Sequence, residues 1–267
     1  MLYLQICKII NNNTMKKIIL SFILIIFSLG IFAQSNYYFP IEVGTVLTYK
    51  MYNEKGKLSK EMPWITYTVK NVEKKGNTTH IYFSINWKDQ EKMLKELPAE
   101  YQDIFENMEV KIENDMMYME FINSVMSKVL TPFANIKNSN ATITTTGDTK
   151  NVIPVNMQIG TSIPETNMKM TIKMNMQGMN MSMTNTTRTY DSKVIAKEDI
   201  TTPAGTFSCF KITNKSEVAM DMGMMKQKEV ETQNQWLAKN IGFVKVETFD
   251  SKGKLKSYMV LEKIEKK

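Results

Sequence analysis

The chain is poor in the residues that most catalytic chemistry uses. It has two cysteines and one histidine in 267 residues. Zinc hydrolases draw on two or three histidines or on a Cys/His cluster, so His80 alone excludes the common zinc sites. No Gly-rich phosphate loop and no nucleophile elbow is present. That removes sequence support for phosphoryl transfer and for a Ser-His-Asp hydrolase. No block of like charge exists either. Cations and anions are interspersed, which excludes a nucleic-acid footprint and favours a solvated mixed surface. Glu91, Glu96, Glu100 and Asp103 read as a wet helix face rather than as paired acid and base. The expectation is a protein without enzymatic activity, cofactor, metal site or nucleic-acid partner.

Long apolar runs are also scarce. The one that stands out, Ile18 to Phe32, has 15 residues, short of the roughly 20 that a membrane-crossing helix needs. It follows Met15-Lys16-Lys17 and precedes Ala33-Gln34-Ser35. A charged start, an apolar middle and a small-residue end make a secretory signal. Residues 1–34 are therefore read as leader and signal peptide, with Met15 as the initiator, and 35–267 as a single β-rich domain. Export is to the periplasm or beyond it. No cysteine stands at the cleavage point, so the exported form is expected to lack a lipid anchor. Lys8, Lys16 and Lys17 leave with the leader. Removing these three cations from a net charge of +7 leaves +4, which anionic headgroups tolerate. Cys7 leaves too. Cys209 is then the single thiol, no internal disulfide is possible, and the core must supply the stability. Cys209 lies in the strand-like run Gly205 to Ile212 and reads as buried and inert.

Period-two alternation dominates the rest. Strands are expected at Val46–Tyr52, Ile65–Val72, Thr79–Trp87, Met108–Ile112 and Met117–Phe121. Further strands follow at Met168–Met176, Met179–Tyr190, Phe207–Met222, Lys226–Leu237, Phe243–Phe249 and Leu255–Ile264. Short turns between them predict an antiparallel meander. The stretch from Asn135 to Thr149 reads as a loop or weak edge strand. His80 falls within a strand. One segment has another period. Met93, Leu94, Leu97, Tyr101, Ile104, Phe105 and Met108 form a helical stripe interrupted by Pro98, which predicts one kinked or two short helices between Asp89 and Asn107. Ile122–Leu130 reads as another short helical piece.

What the chain has in excess is methionine. Residues 167–184 read NMKMTIKMNMQGMNMSMT, in which seven of eighteen are methionine. Gln177-Gly178 serves as a two-residue turn. The register then places Met176 opposite Met179, Met174 opposite Met181 and Ile172 opposite Met183, all on one face with Met168 and Met170. The other face carries Thr171, Lys173, Asn175, Asn180, Ser182 and Thr184. A slip of one residue would mix the faces, so the pattern itself fixes the register. Each apolar side chain on the first face gains about 2 kcal/mol on full burial, so a covering element is expected. Met220, Met222, Met224 and Met225 crowd the next hairpin, around Gly223, and Met116, Met117 and Met119 add to the excess. Methionine is a poorer strand former than valine or isoleucine, but it fills irregular space and suits variable partners. Three readings follow: plain core or a structural module, an adaptable apolar surface for a lipid-like ligand, and a Cu(I) site, since thioethers are soft ligands. Tight copper sites add histidine or thiolate, and His80 lies on a different hairpin.

Three stretches carry a resemblance. They are Tyr38-Phe39-Pro40-Ile41-Glu42-Val43-Gly44-Thr45-Val46-Leu47-Thr48-Tyr49, Thr202-Pro203-Ala204-Gly205-Thr206-Phe207-Ser208-Cys209-Phe210-Lys211-Ile212, and Trp236-Leu237-Ala238-Lys239-Asn240-Ile241-Gly242-Phe243-Val244-Lys245-Val246-Glu247. Together they resemble the TapB-like family, secreted proteins of Bacteroidota built on a domain of unknown function. The resemblance spans most of the chain from Asn36 onward. It implies an envelope location and a mostly antiparallel β fold, and no activity. The architecture also resembles lipoprotein-carrier half-barrels, curved sheets with a helical lid over an apolar cavity. Pro203-Ala204-Gly205 and Asn240-Ile241-Gly242 read as turns, and Trp236 as a core anchor.

The expected fold is mostly β: a large curved antiparallel sheet or half-barrel with one or two covering helices. The expected function is non-catalytic binding of an apolar or lipid-like ligand, or of an envelope protein partner, on a concave face. The candidate residues are Met168, Met170, Ile172, Met174, Met176, Met179, Met181, Met183, Met220 and Met222. The helix around Met93 to Met108 is expected to cover that face in part.

Overall fold

A computed structural model describes residues 37–95, 103–120, 142–176, 179–223 and 225–266. One compact unit spans Asn36–Lys267. Its strands are β1 (Thr45–Asn53), β2 (Trp64–Lys75), β3 (Thr78–Trp87), β4 (Met108–Glu113), β5 (Met116–Glu120), β6 (Thr142–Gly147) and β7 (Lys150–Pro154). They continue as β8 (Thr166–Met176), β9 (Met179–Thr202), β10 (Gly205–Asp221), β11 (Lys226–Ala238), β12 (Gly242–Phe249) and β13 (Leu255–Lys266). One helix, α1 (Gln90–Lys95), is six residues long.

All thirteen strands join one antiparallel sheet in the order β6-β8-β9-β10-β11-β12-β13-β1-β2-β3-β4-β5-β7. The meander expected from the alternation is present, with most neighbours in sequence also neighbours in the sheet. The half-barrel under a helical lid is not. No ladder joins the edge strands β6 and β7, so the sheet is open. Among the described residues the only helix is α1, and no lid lies over a concave face. Of the helices expected between Asp89 and Asn107, α1 is present before Pro98, and residues 96–102 lie outside the described residues. At the far end of the stripe the apolar positions feed the main core through a turn and a strand instead: Phe105 is fully buried, stacks edge-on against Trp87 at 4.8 Å, and accepts the Ile85 amide at 2.9 Å through its carbonyl. Met108 opens β4. The helix expected over 122–130 lies outside the described residues.

The two edges are adjacent in sequence, because only Asp148 and Thr149 separate β6 from β7. The chain leaves one edge and enters the other at this corner. Gly147 sits there with φ +87°, and a Cβ would lie 2.1 Å from the Asn167 carbonyl oxygen. That oxygen accepts the Asp148 amide, while Asp148 accepts the Asn167 amide, both at 2.8 Å. The corner is stapled through backbone that only glycine allows to approach so closely. The main core accordingly gathers residues from strands far apart in the sheet order: Val69, Ile81 and Phe83 with Val110, Met117 and Ile153, and with Val194, Ile212 and Leu237.

The three motifs have structural jobs. Asn240 (φ +61°) and Gly242 (φ +96°) turn β11 into β12. The Asn240 amide donates to the Tyr37 carbonyl at 2.7 Å, and Tyr38 and Phe39 enter the main core. Trp236 is buried, donates its indole N–H to Glu198 at 2.6 Å, and lies under the ammonium groups of Lys211 and Lys245 at 4.8 and 5.1 Å. Cys209 is buried beside Trp236 and Val244, and burial followed by the charges of Asp199 and Glu198 pushes its thiol up to about 12. His80 lies in β3, its Nδ1 2.6 Å from Glu109.

Candidate functional site

The methionine hairpin has the register its sequence dictates. Met176 pairs with Met179, Met174 with Met181, Ile172 with Met183, and Met168 with Thr187. On the next strand Met220 pairs with Asn185 and Val218 with Thr187. Period-two geometry puts these residues on one face of β8, β9 and β10. Burial along that face is graded. Met168 is 3% exposed, Met170, Ile172, Met183 and Met220 are half-buried, and Met222 and Met181 are 41% and 54% exposed. Of Met174, Met176 and Met179 only the backbone pairing is described. Met224 lies outside the described residues, and Met225 is exposed. The stripe therefore runs from the core outward to solvent among the described residues.

A cavity of about 380 Å³ adjoins the inner end of the stripe. Thr187 and Val218, in register with Met168, belong to its wall. None of the ten residues singled out from the sequence lines it. Its floor and opposite wall come from Met119, Asn151, Val152 and Ile153 on β5 and β7, with Ile212 and Phe243 from the core side. The segment 160–163 closes one flank by running along β9. The Gly160 and Ile163 amides donate to the Val194 and Ser192 carbonyls, and the Val194 amide donates to the Thr161 carbonyl, at 2.8 to 2.9 Å.

An irregularity in β9 shapes this place. Asp191 has φ +54°, and the ladder with β10 jumps from Thr213↔Lys193 to Lys215↔Tyr190, so Asp191 and Ser192 together oppose Asn214. The bulge lets β9 continue past Tyr190 to Thr202, and bulges of this kind re-aim side chains. Read along its inward face, β10 runs Phe210, Ile212, Asn214, Ser216, Val218, Met220, which is apolar, then polar, then apolar. Facing it on β11 are Gln235, Gln233 and Glu231. The polar middle lines the cavity. Asn214 is 5% exposed, and its Oδ1 is buried with no hydrogen-bond partner. Ser192 and Thr166 are buried beside it. Among the described residues Glu231 is the one charged residue lining the cavity, and it is paired with Lys256 at 2.5 Å.

Metal chemistry finds little here. Among the described residues no group of three or more His, Cys, Asp and Glu side chains is placed to hold an ion. Among the described residues, His80 is on β3 with Glu109 and Cys209 is buried next to Trp236, so neither joins the stripe's described thioethers.

Two solved structures share the fold. A candidate lipoprotein from Parabacteroides distasonis matches with a TM-score of 0.58 at 21% identity, covering 86% of this chain and 98% of that one. A candidate exported protein with a YmcC-like fold from Bacteroides fragilis matches with a TM-score of 0.54 at 20% identity, covering 86% and 99%. No curated protein matches the sequence significantly. Likeness at this identity shows the fold. It also corrects one expectation. The reading without a lipid anchor rests on the missing cysteine after Ala33, yet the fold occurs in a candidate lipoprotein, so that reading is withdrawn. The TapB-like resemblance is narrowed as well, because the family model that matches is the DUF3108-like one, over residues 42–261. That span contains the whole sheet except its last strand's end and covers most of the chain. The chain belongs to the DUF3108-like family.

Proposed function

We propose that this domain is an exported, non-catalytic envelope protein that binds a lipid-like ligand along the methionine face of β8, β9 and β10. One observation carries the reading: the apolar stripe does not end in the core. Packing accounts for Met168, but it gives no reason for thioethers at Met181 and Met222, whose apolar surface stays largely in water and forgoes about 1–2 kcal/mol apiece. Flexible, polarisable side chains at the outer end suit a partner of variable shape. From Met168 to Met174 the strand rises about 20 Å, comparable with the ~15 Å depth of one leaflet's acyl chains. The cavity at the inner end gives such a chain a terminus. The secretory leader and the occurrence of the fold in a candidate exported protein and a candidate lipoprotein support an envelope location.

The test is a double variant, Met181→Asp with Met222→Asp, titrated with a fluorescent acyl-chain probe bearing an uncharged head. Two carboxylates at the exposed end weaken binding at least about tenfold, because each must be desolvated under the chain. Stability changes by no more than about 0.5 kcal/mol, since both positions are exposed. Unchanged probe binding would remove the stripe from the site.

A further inference from the structure

Resting on the lipid-binding reading, we propose that the cavity seats the uncharged, hydroxyl-bearing headgroup of the ligand, with the Asn214 carboxamide, its buried Oδ1 turned toward the cavity on binding, as its principal acceptor. A buried carbonyl oxygen without a partner costs free energy, and proteins seldom leave one. Asn214 Oδ1 is such an atom, on a side chain that lines the cavity. Its surroundings are built to match. The bulge at Asp191 and Ser192 sets two β9 residues opposite it. Thr166, Ser192, Gln233 and Gln235 surround the same space with hydroxyls and amides. The Gln235 side-chain amide donates to Gln233 at 3.1 Å, which orders that wall.

The charge pattern selects the headgroup. Among the described residues no lysine or arginine lines the cavity, so they offer a buried phosphate or carboxylate no counter-ion. The one lining carboxylate, Glu231, is already paired with Lys256, so an ammonium head would have to compete for it. A hydroxyl head needs neither. It donates to Asn214 and accepts from the amides and hydroxyls around it. The apolar rows on either side of the polar belt, Phe210 and Ile212 inward and Val218 and Met220 outward, match an amphipathic molecule with its head in the belt and its chain along the stripe.

The experiment uses the full exported domain and five probes: monoolein, oleate, oleylamine, glycerol and a plain hydrocarbon of similar length. Binding is followed by native mass spectrometry and by displacement of the uncharged fluorescent probe. Monoolein is expected to bind at least about tenfold more tightly than oleate or oleylamine, the loss expected for one unsatisfied buried hydrogen bond or more. Glycerol alone is expected not to bind measurably. Asn214→Leu is expected to reduce monoolein binding about tenfold and to leave the hydrocarbon unaffected. The melting temperature of the free variant should not fall, because the substitution removes an unpartnered polar atom. Equal affinity across the three heads, or a preference for a charged one, would overturn the headgroup assignment while leaving the acyl-chain reading intact. Glycerol binding as tightly as monoolein would overturn a lipid source for the hydroxyls. Failure of every chain-bearing probe would overturn both readings. The head preference of the wild-type protein decides the matter even where Asn214→Leu does not fold.

Discussion

Replacing Met168 and Met181 by alanine, one at a time, separates core from surface within a single stripe. The two residues share a face and lie three pleat repeats apart along one ladder, Met181 standing opposite Met174. Met168 is 3% exposed and Met181 54%. Truncating a buried methionine removes its transfer free energy and leaves a cavity, together about 2–5 kcal/mol. Taking about 3 kcal/mol for Met168→Ala, and about 2–4 °C per kcal/mol for a domain of this size, the melting temperature falls by about 6–12 °C. Met181→Ala changes stability by no more than about 0.5 kcal/mol, or about 1–2 °C. Urea titration gives the same ranking, with unchanged slopes showing that neither variant alters the unfolded state. Equal, large losses at both positions would show that the outer stripe is packed in the native protein, and the binding-face argument would fail.

Three further outcomes follow from particular contacts. Gly147→Ala loses at least about 2 kcal/mol, because a Cβ would enter the Asn167 carbonyl and alanine resists the left-handed conformation; a melting temperature within 1–2 °C of wild type would mean that the corner relaxes freely. Cys209, buried and with its thiol pushed up to about 12, resists maleimide at pH 8 in the native protein and reacts once urea unfolds it. Rapid native labelling would contradict the burial. Asp250 accepts the Lys252 and Lys254 amides in the β12–β13 turn, and these backbone hydrogen bonds, that from Lys254 foremost, hold its carboxyl below 3.8. A depressed folded value means the contribution is present above 3.8 and is lost as pH falls through the folded value. Asp250→Ala should therefore be less stable than wild type at neutral pH, and the gap should close in strong acid; a gap that persists there would assign it to something other than the carboxylate.

Local pattern made much of the fold legible. The alternation from Met168 to Thr184 specifies both strands and their register, because the polar set on one face and the apolar set on the other permit no slip. The same holds for the hairpin at Gly76-Asn77 and for the long pair from Phe207 to Leu237. What escaped the sequence reading depends on contacts between distant segments. The edge strand β6 falls in the Asn135–Thr149 stretch that reads as a loop or weak edge strand, but the opposite edge, β7, is five residues long and has too little alternation to mark it. Phe105 and Met108 have helical spacing, yet Phe105 is drawn into the core by Trp87 and Ile85, and Met108 by pairing with Phe83. The bulge at Asp191 lies where the segment 160–163 hydrogen-bonds to β9, a contact that no neighbour in sequence announces. The cavity left one trace. Asn214 and Ser216 occupy positions that the alternation of β10 assigns to the core face, and Gln235, Gln233 and Glu231 do the same on β11. Polar residues repeated at inward positions on two adjacent strands mark a wet or ligand-filled space inside the sheet.

The most direct measurement is native mass spectrometry of the protein expressed with its own leader and released gently from the envelope. A bound species of lipid mass is expected, lost from the Met181→Asp, Met222→Asp variant. A clean protein mass from wild type, unchanged on addition of monoolein, would contradict it and leave the methionine face as surface for something else.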